Sequence, residues 1–170
     1  MKLRQEITIA LLLVIGLLLH YLTPPIFATV KPDLLLSMMF ICILLFPTFK
    51  NTLLTAFLSG IFTALTTGMP GGQIPNFIEK FITAFIVLFI VYALGKLHNQ
   101  IKLGIISLVG TAISGTVFLS LAAAFGAFKM AAFVPTFIAV VVPAAVLNFV
   151  VSYILYNVVL AAKKSTNVTF

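Results

Sequence analysis

The sequence predicts an all-α integral membrane protein with about six transmembrane helices and both termini in the cytoplasm. Of its 170 residues, 62% are hydrophobic and only 8% are charged, whereas about 25% are charged in an ordinary soluble domain. A soluble fold of this length has too little interior to hide so much apolar surface, so lipid is the expected solvent. Breakers and charges divide the apolar residues into separate segments, and most of the basic residues gather at one set of segment ends.

The apolar segments are consistent with a single polytopic membrane domain covering residues 1–170. A span needs about 25 helical residues at most, so this length accommodates six spans with short loops. The predicted segments are residues 7–21, 33–46, 52–68, 77–97, 103–128 and 136–162.

Local signals justify three of these segments. Lys2 and Arg4 precede the first one as in a signal peptide, but no small-x-small cleavage site follows, so we expect a retained helix. Pro32 and Pro47 bracket the second, which is shorter than the hydrocarbon core and must either continue past Pro47 or stop partway. Pro143 should kink the last segment.

The third segment carries two stripes of small or hydroxyl-bearing residues with a spacing of four. Small residues let another backbone approach closely, and hydroxyl groups can hydrogen-bond across the contact. We therefore interpret this segment as the central packing helix, and a polar permeation stripe is the alternative. The stripes are Ala56, Gly60, Ala64 and Gly68, and Thr55, Ser59, Thr63 and Thr67.

The basic residues predict the orientation. With the N-terminus inside, the cytoplasmic ends hold seven of them and the opposite ends hold three, which favours cytoplasmic termini and a multi-pass protein of the bacterial plasma membrane. The first group is Lys2, Arg4, Lys50, Lys96, Lys102, Lys163 and Lys164, and the second is Lys31, Lys80 and Lys129.

The residues argue against several classes of function. The net charge of +7 is scattered singly at segment ends, so no nucleic-acid partner is expected. Cys42 is the only cysteine and lies in an apolar run. The sequence has no metal, nucleophile or phosphate-binding motif, so we expect no enzyme, no cofactor and no metal, and no ATP hydrolysis by this chain itself.

The candidate site is a group of polar residues at the extracellular end. Asp33, Glu79 and Lys80 are charged residues in a very apolar chain, and such residues mark functional sites. Gln73 and Asn76 come from the loop before the fourth segment.

The glycines of the same loop are a second element of that site. Gly71 and Gly72 can expose N–H groups toward an anion beside a helix N-terminus. The alternative is structural: Asn76 and Glu79 have capping-box spacing, and Asp33 stands where a cap of the second helix would be.

Several stretches resemble the TrpP-type bacterial tryptophan transport proteins. They are Lys31-Pro32-Asp33, Leu44-Leu45-Phe46-Pro47, the run from Ala64 to Asn76 with its Gly-Gln-Ile-Pro-Asn core, and Glu79-Lys80. The resemblance covers about the first hundred residues well, and the remainder agrees in hydropathy and length. It implies binding and import of tryptophan by a bundle of about six helices.

The resemblance also implies partners. The family is similar to the substrate-binding S components of energy-coupling-factor transporters, which work with a transmembrane coupling subunit and ATPases. S components dock through small residues spaced four apart on the first helix, but here Ala10 is followed at that spacing by Val14. Docking through the third segment, or transport without such a module, remains open.

For tryptophan, Lys80 or the loop amides would bind the carboxylate, and Asp33 or Glu79 the ammonium. Phe27, Phe77 and Phe81 are candidates near the indole. The alternatives are an S component or transporter for another solute, such as a vitamin, and a non-transport membrane scaffold.

Overall fold

The computed structural model describes residues 2–26 and 30–165 and forms a bundle of six helices, as predicted. The last of them is one continuous helical segment with an irregular first half. The helices are α1 (Lys2–Leu22), α2 (Leu34–Leu45), α3 (Phe49–Thr66), α4 (Gln73–Ala93), α5 (Asn99–Ala124) and α6 (Met130–Ser165).

The helices differ in length across the bundle. Within the described residues, α1, α4, α5 and α6 are long and apolar enough to cross a membrane. α2 has 12 residues, about 18 Å of helix at 1.5 Å per residue. It stops at Leu45, and Thr48 caps α3 by accepting a hydrogen bond from the Asn51 N–H at 3.3 Å. Of the two alternatives for the second segment, the second is observed: the helix stops partway and the chain turns.

The short helix α2 is the centre of the molecule. Every residue from Leu34 to Leu44 is buried, and α2 packs against all five other helices. Cys42 is fully buried there and packs as a small apolar residue, as predicted. Large apolar side chains of the surrounding helices point outward, among them Leu11, Phe89 and Ile154, as expected for a surface facing lipid.

The third helix is a packing element, but it is not the central one. Gly60 lies against α4 so closely that an added Cβ would stand 3.0 Å from the Phe77 ring and 3.2 Å from the Phe77 carbonyl oxygen. The hydroxyls of Thr55, Ser59 and Thr63 donate to carbonyl groups of α3 itself at 2.7–2.9 Å. These contacts favour packing over a polar permeation stripe.

Proline interrupts α6 in a specific way. The residues immediately before Val142 and Pro143 form a π-helical turn, Phe137–Val141, and the α-helix resumes at Val142. The predicted disturbance at Pro143 therefore takes the form of a π turn, in which the backbone hydrogen bonds are re-spaced. The irregular half of α6 forms one wall of the cavity described below.

Polar contacts show which ends of the helices share a face. Lys50 at the start of α3 donates to Glu6 at the start of α1, at 2.6 Å. Gln100 at the start of α5 donates to Asn157 near the end of α6, at 3.3 Å. The start of α1 therefore lies level with the α2–α3 turn, and the start of α5 level with the end of α6. Which membrane face each of these ends occupies remains a prediction.

Candidate functional site

A cavity of about 310 Å³ lies between α4, α5 and α6, beside the start of α2. One part of its wall is polar and the other is apolar. The polar part contains Asp33, Asn76, Glu79, Lys80, Thr111 and Ser114. The apolar part contains Leu36, Phe118, Leu119, Val140, Val141 and Ala144.

Lys80 and Glu79 form an ion pair deep inside the protein. Their side chains are 2% and 1% exposed, and the Lys80 Nζ contacts Glu79 Oε1 directly. Lys80 is the eighth residue of α4, about 10 Å along the helix from its first residue. Desolvating two charges is costly, and a pair at such a depth in a membrane helix marks a functional site.

The carboxylate of Glu79 is held by three side chains. Ser114 on α5 donates to Oε2 at 3.0 Å, and Thr83 one turn further along α4 donates to the same oxygen at 3.1 Å. The interpretation of Glu79 as a helix cap is wrong, because α4 begins at Gln73 with Gly72 at the N-cap position. Glu79 therefore lies in the second turn of α4, where no free backbone N–H needs a cap.

Asp33 joins the same cluster from the start of α2. Its Oδ2 lies 3.8 Å from the Lys80 Nζ, and its Oδ1 lies 3.5 Å from His20 Nδ1. Oδ1 also accepts a hydrogen bond from the Leu36 N–H at 2.9 Å, which confirms Asp33 as the cap of α2. Burial acts to raise the pKa of the Asp33 carboxyl, but the Lys80 ammonium is foremost among the charges that oppose it, and the pKa lies below its usual value.

The glycines of the loop do not line this cavity, although Met69 of the same loop does. Gly72 is buried, but its N–H donates to the Met69 carbonyl at 2.9 Å, so this amide is already used within the turn. Gly71 takes the left-handed backbone conformation, with φ of 76°, and is exposed like Gln73. The structure thus brings together four of the predicted site residues and leaves these three apart, because the turn directs their polar groups elsewhere.

Several residues of the site were not predicted, among them Asn148 and Phe118. Asn148 on α6 is fully buried; its Oδ1 accepts the Asp33 N–H at 2.7 Å, and its Nδ2 donates to Thr111 Oγ1 at 3.1 Å. A lone asparagine within the apolar run 144–151 was a usable signal, since such residues are rare in membrane helices. Phe118 is the aromatic residue of the cavity wall.

The predicted aromatic residues lie elsewhere. Phe77 and Phe81 pack against each other with ring centroids 5.0 Å apart and do not line the cavity, and Phe27 lies outside the described residues.

Three relatives of similar length match the chain, and each is named a probable tryptophan transport protein. The Bacillus subtilis relative is 40% identical over 94% of this chain and 92% of its own length. The Clostridium acetobutylicum relative is 38% identical over 100% of this chain and 98% of its own. The Clostridium perfringens relative is 43% identical over 88% of this chain and 87% of its own.

No solved structure matches the chain. The profile of the family described as "Tryptophan transporter TrpP" matches residues 2–164. This match covers nearly the whole sequence, including every helix that lines the cavity. The chain therefore belongs to the TrpP family of tryptophan transporters.

Proposed function

We propose that this protein imports tryptophan across the bacterial plasma membrane, and that the cavity between α4, α5 and α6 is its substrate site. The observation that carries this proposal is the pairing of Asp33 and Lys80 at the cavity wall, inside an otherwise apolar bundle. Buried opposite charges in a membrane protein are typical of a binding site for a charged solute.

The charges of the cavity match those of an amino acid. Lys80 is the cation that would bind the carboxylate, and Asp33, with 29% of its side chain exposed, is the accessible anion that would bind the ammonium. Glu79 is less accessible and already accepts three hydrogen bonds, so it holds Lys80 in place in the substrate-free protein. We therefore assign Glu79 this supporting role instead of the contact with the ammonium that was expected from the sequence.

The apolar part of the cavity suits an indole ring. Phe118, Leu119 and Val140 provide an aromatic and aliphatic surface, and Asn76 and Thr136, which also line the cavity, have oxygen atoms that could accept the indole N–H. The volume of about 310 Å³ is at the lower end of the range for small-molecule pockets, roughly 300–1,000 Å³. Size and lining therefore favour one compact aromatic solute.

Competition binding to the purified protein tests this proposal. Labelled tryptophan should be displaced by unlabelled tryptophan, and at least about tenfold more weakly by tryptamine or indole-3-propionate, since each lacks one charged group. Displacement by a vitamin but not by tryptophan would establish the alternative solute. Absence of saturable binding of any solute would favour the scaffold.

A coupling subunit with ATPases is the partner that the resemblance implies. The outward face of α1 carries Leu3, Ile7 and Leu11, whereas Ala10 is half-buried and Gly16 packs against α2. Small residues are therefore not displayed on α1, and an S-component mode of docking would need another surface. Uptake by the chain alone in liposomes separates the two arrangements.

A further inference from the structure

The charged side chains that line the cavity do not balance one another. Asp33 and Glu79 carry two negative charges, and Lys80 between them carries one positive charge. The other helices of the wall present uncharged groups. Ser114 on α5 contacts Glu79, and Asn148 on α6 contacts Asp33.

The nearest other titratable group is His20 on α1, which lies 3.5 Å from Asp33 on the side of Oδ1. Lys31 donates to the His20 carbonyl oxygen at 3.1 Å. Lys31 also acts electrostatically on Asp33, but it does not line the cavity. With His20 neutral, the three charged groups that line the cavity sum to −1.

Tryptophan cannot correct this imbalance, because a zwitterion brings one ammonium and one carboxylate. If Asp33 pairs with the ammonium and Lys80 with the carboxylate, Glu79 loses its partner cation. An unpaired carboxylate with 1% of its side chain exposed is very unfavourable. One additional positive charge is required for each substrate bound.

We propose that one proton accompanies each tryptophan and is carried by Glu79. This inference rests on the proposed function, and it identifies the driving force as a proton gradient. A proton adds to Glu79 from the side where tryptophan binds, and it leaves to water when tryptophan is released on the other side.

Two local features select Glu79 over Asp33 as the carrier. The Ser114 and Thr83 hydroxyls beside Glu79 can turn and accept a hydrogen bond from the protonated acid. Asp33 instead accepts from the Leu36 N–H, a donor that favours the charged form. The carboxyl that becomes neutral is therefore the buried one.

Liposomes containing the purified full-length protein and a pH-sensitive dye test the proposal. With an acidic exterior, tryptophan should accumulate inside, and about one proton should enter with each molecule. Glu79→Gln should lose both net accumulation and proton entry, and its affinity for tryptophan should no longer depend on pH. Glu6→Gln, at the opposite end of the bundle beside Lys50, is the matched control and should behave as wild type.

Wild-type binding gives a measurement that does not depend on a variant folding. In the pH range where Glu79 is ionised in the unloaded protein and protonated in the loaded one, linkage of one proton predicts that the affinity for tryptophan falls about tenfold per pH unit. Three results would each overturn the proposal while leaving the proposed function intact. They are tryptophan binding without pH dependence, accumulation driven by sodium alone, and an unchanged proton ratio in Glu79→Gln. Absence of tryptophan binding would overturn the proposed function itself.

Discussion

Lys80 is held at the centre of the site by carboxylates from two different parts of the chain. Lys80→Met would leave Glu79 buried beside an apolar side chain, and breaking a buried pair in this way typically costs about 3–5 kcal/mol. We expect a large fall in the melting temperature of the detergent-solubilised protein. Adding Glu79→Gln should restore much of the stability without restoring tryptophan binding. A single Lys80→Met variant as stable as wild type would contradict this ion-pair argument.

Asp33 has two roles that one substitution separates. Asn is as good as Asp at an N-cap, so Asp33→Asn should keep α2 capped and the melting temperature close to that of wild type. It removes the charge that pairs with the substrate ammonium, worth about 1.5–3 kcal/mol, so tryptophan should bind at least about tenfold more weakly. Calorimetric titration of both proteins measures this difference. Unchanged affinity would leave Asp33 as a cap only.

At this scale the sequence predicted the charged residues of the site but not their uncharged partners. Asp33, Glu79 and Lys80 are conspicuous because charge is rare in this chain. The hydrogen bond between Asp33 and Asn148 joins residues 115 positions apart, and no local pattern encodes such a contact. Gly71, Gly72 and Gln73 were included because a glycine-rich turn resembles an anion site, but composition does not show where its amides point.

Among the helices, the contact of α3 with α4 depends on Gly60. A leucine at this position would meet the Phe77 carbonyl, part of a rigid helix backbone, so the two helices would have to separate. We expect Gly60→Leu to destabilise the fold by about 1–3 kcal/mol or more. Leu58→Phe, at a half-buried position on the same helix, should be milder. Equal thermal stability of the two variants would show that the close approach is unimportant.

Hydropathy predicted the number and order of the helices, but it set several starts too late. α1 begins at Lys2, α4 at Gln73 and α5 at Asn99, four or five residues before the predicted segments. A helix continues into polar sequence because its backbone hydrogen bonds do not depend on side-chain polarity, and polar first turns can project beyond the lipid. The central position of α2 was missed because its sequence, apolar except for Ser37, gives no amphipathic signal.

For the whole molecule, orientation is the open prediction. Lys80 is buried inside the bundle, so it no longer counts among the basic residues at the predicted extracellular ends. The difference between the two sets of ends is therefore larger than the sequence count indicated. Single cysteines introduced at Gln73 and His98, both exposed, in a Cys42→Ala background should be labelled from the outside and the inside respectively. Labelling in the reverse pattern would invert the topology. Cys42 itself, fully buried, should resist an aqueous reagent.

The depth of the Lys80–Glu79 pair has an electrical consequence. If tryptophan enters as a neutral zwitterion with one proton, every cycle moves one positive charge inward, and a membrane potential of 100 mV contributes about 2.3 kcal/mol. That energy alone supports about fiftyfold accumulation. The loaded site is neutral and the unloaded site carries −1, so the voltage acts on the return of the unloaded carrier. A cell with a collapsed pH gradient but an intact potential should therefore still concentrate tryptophan.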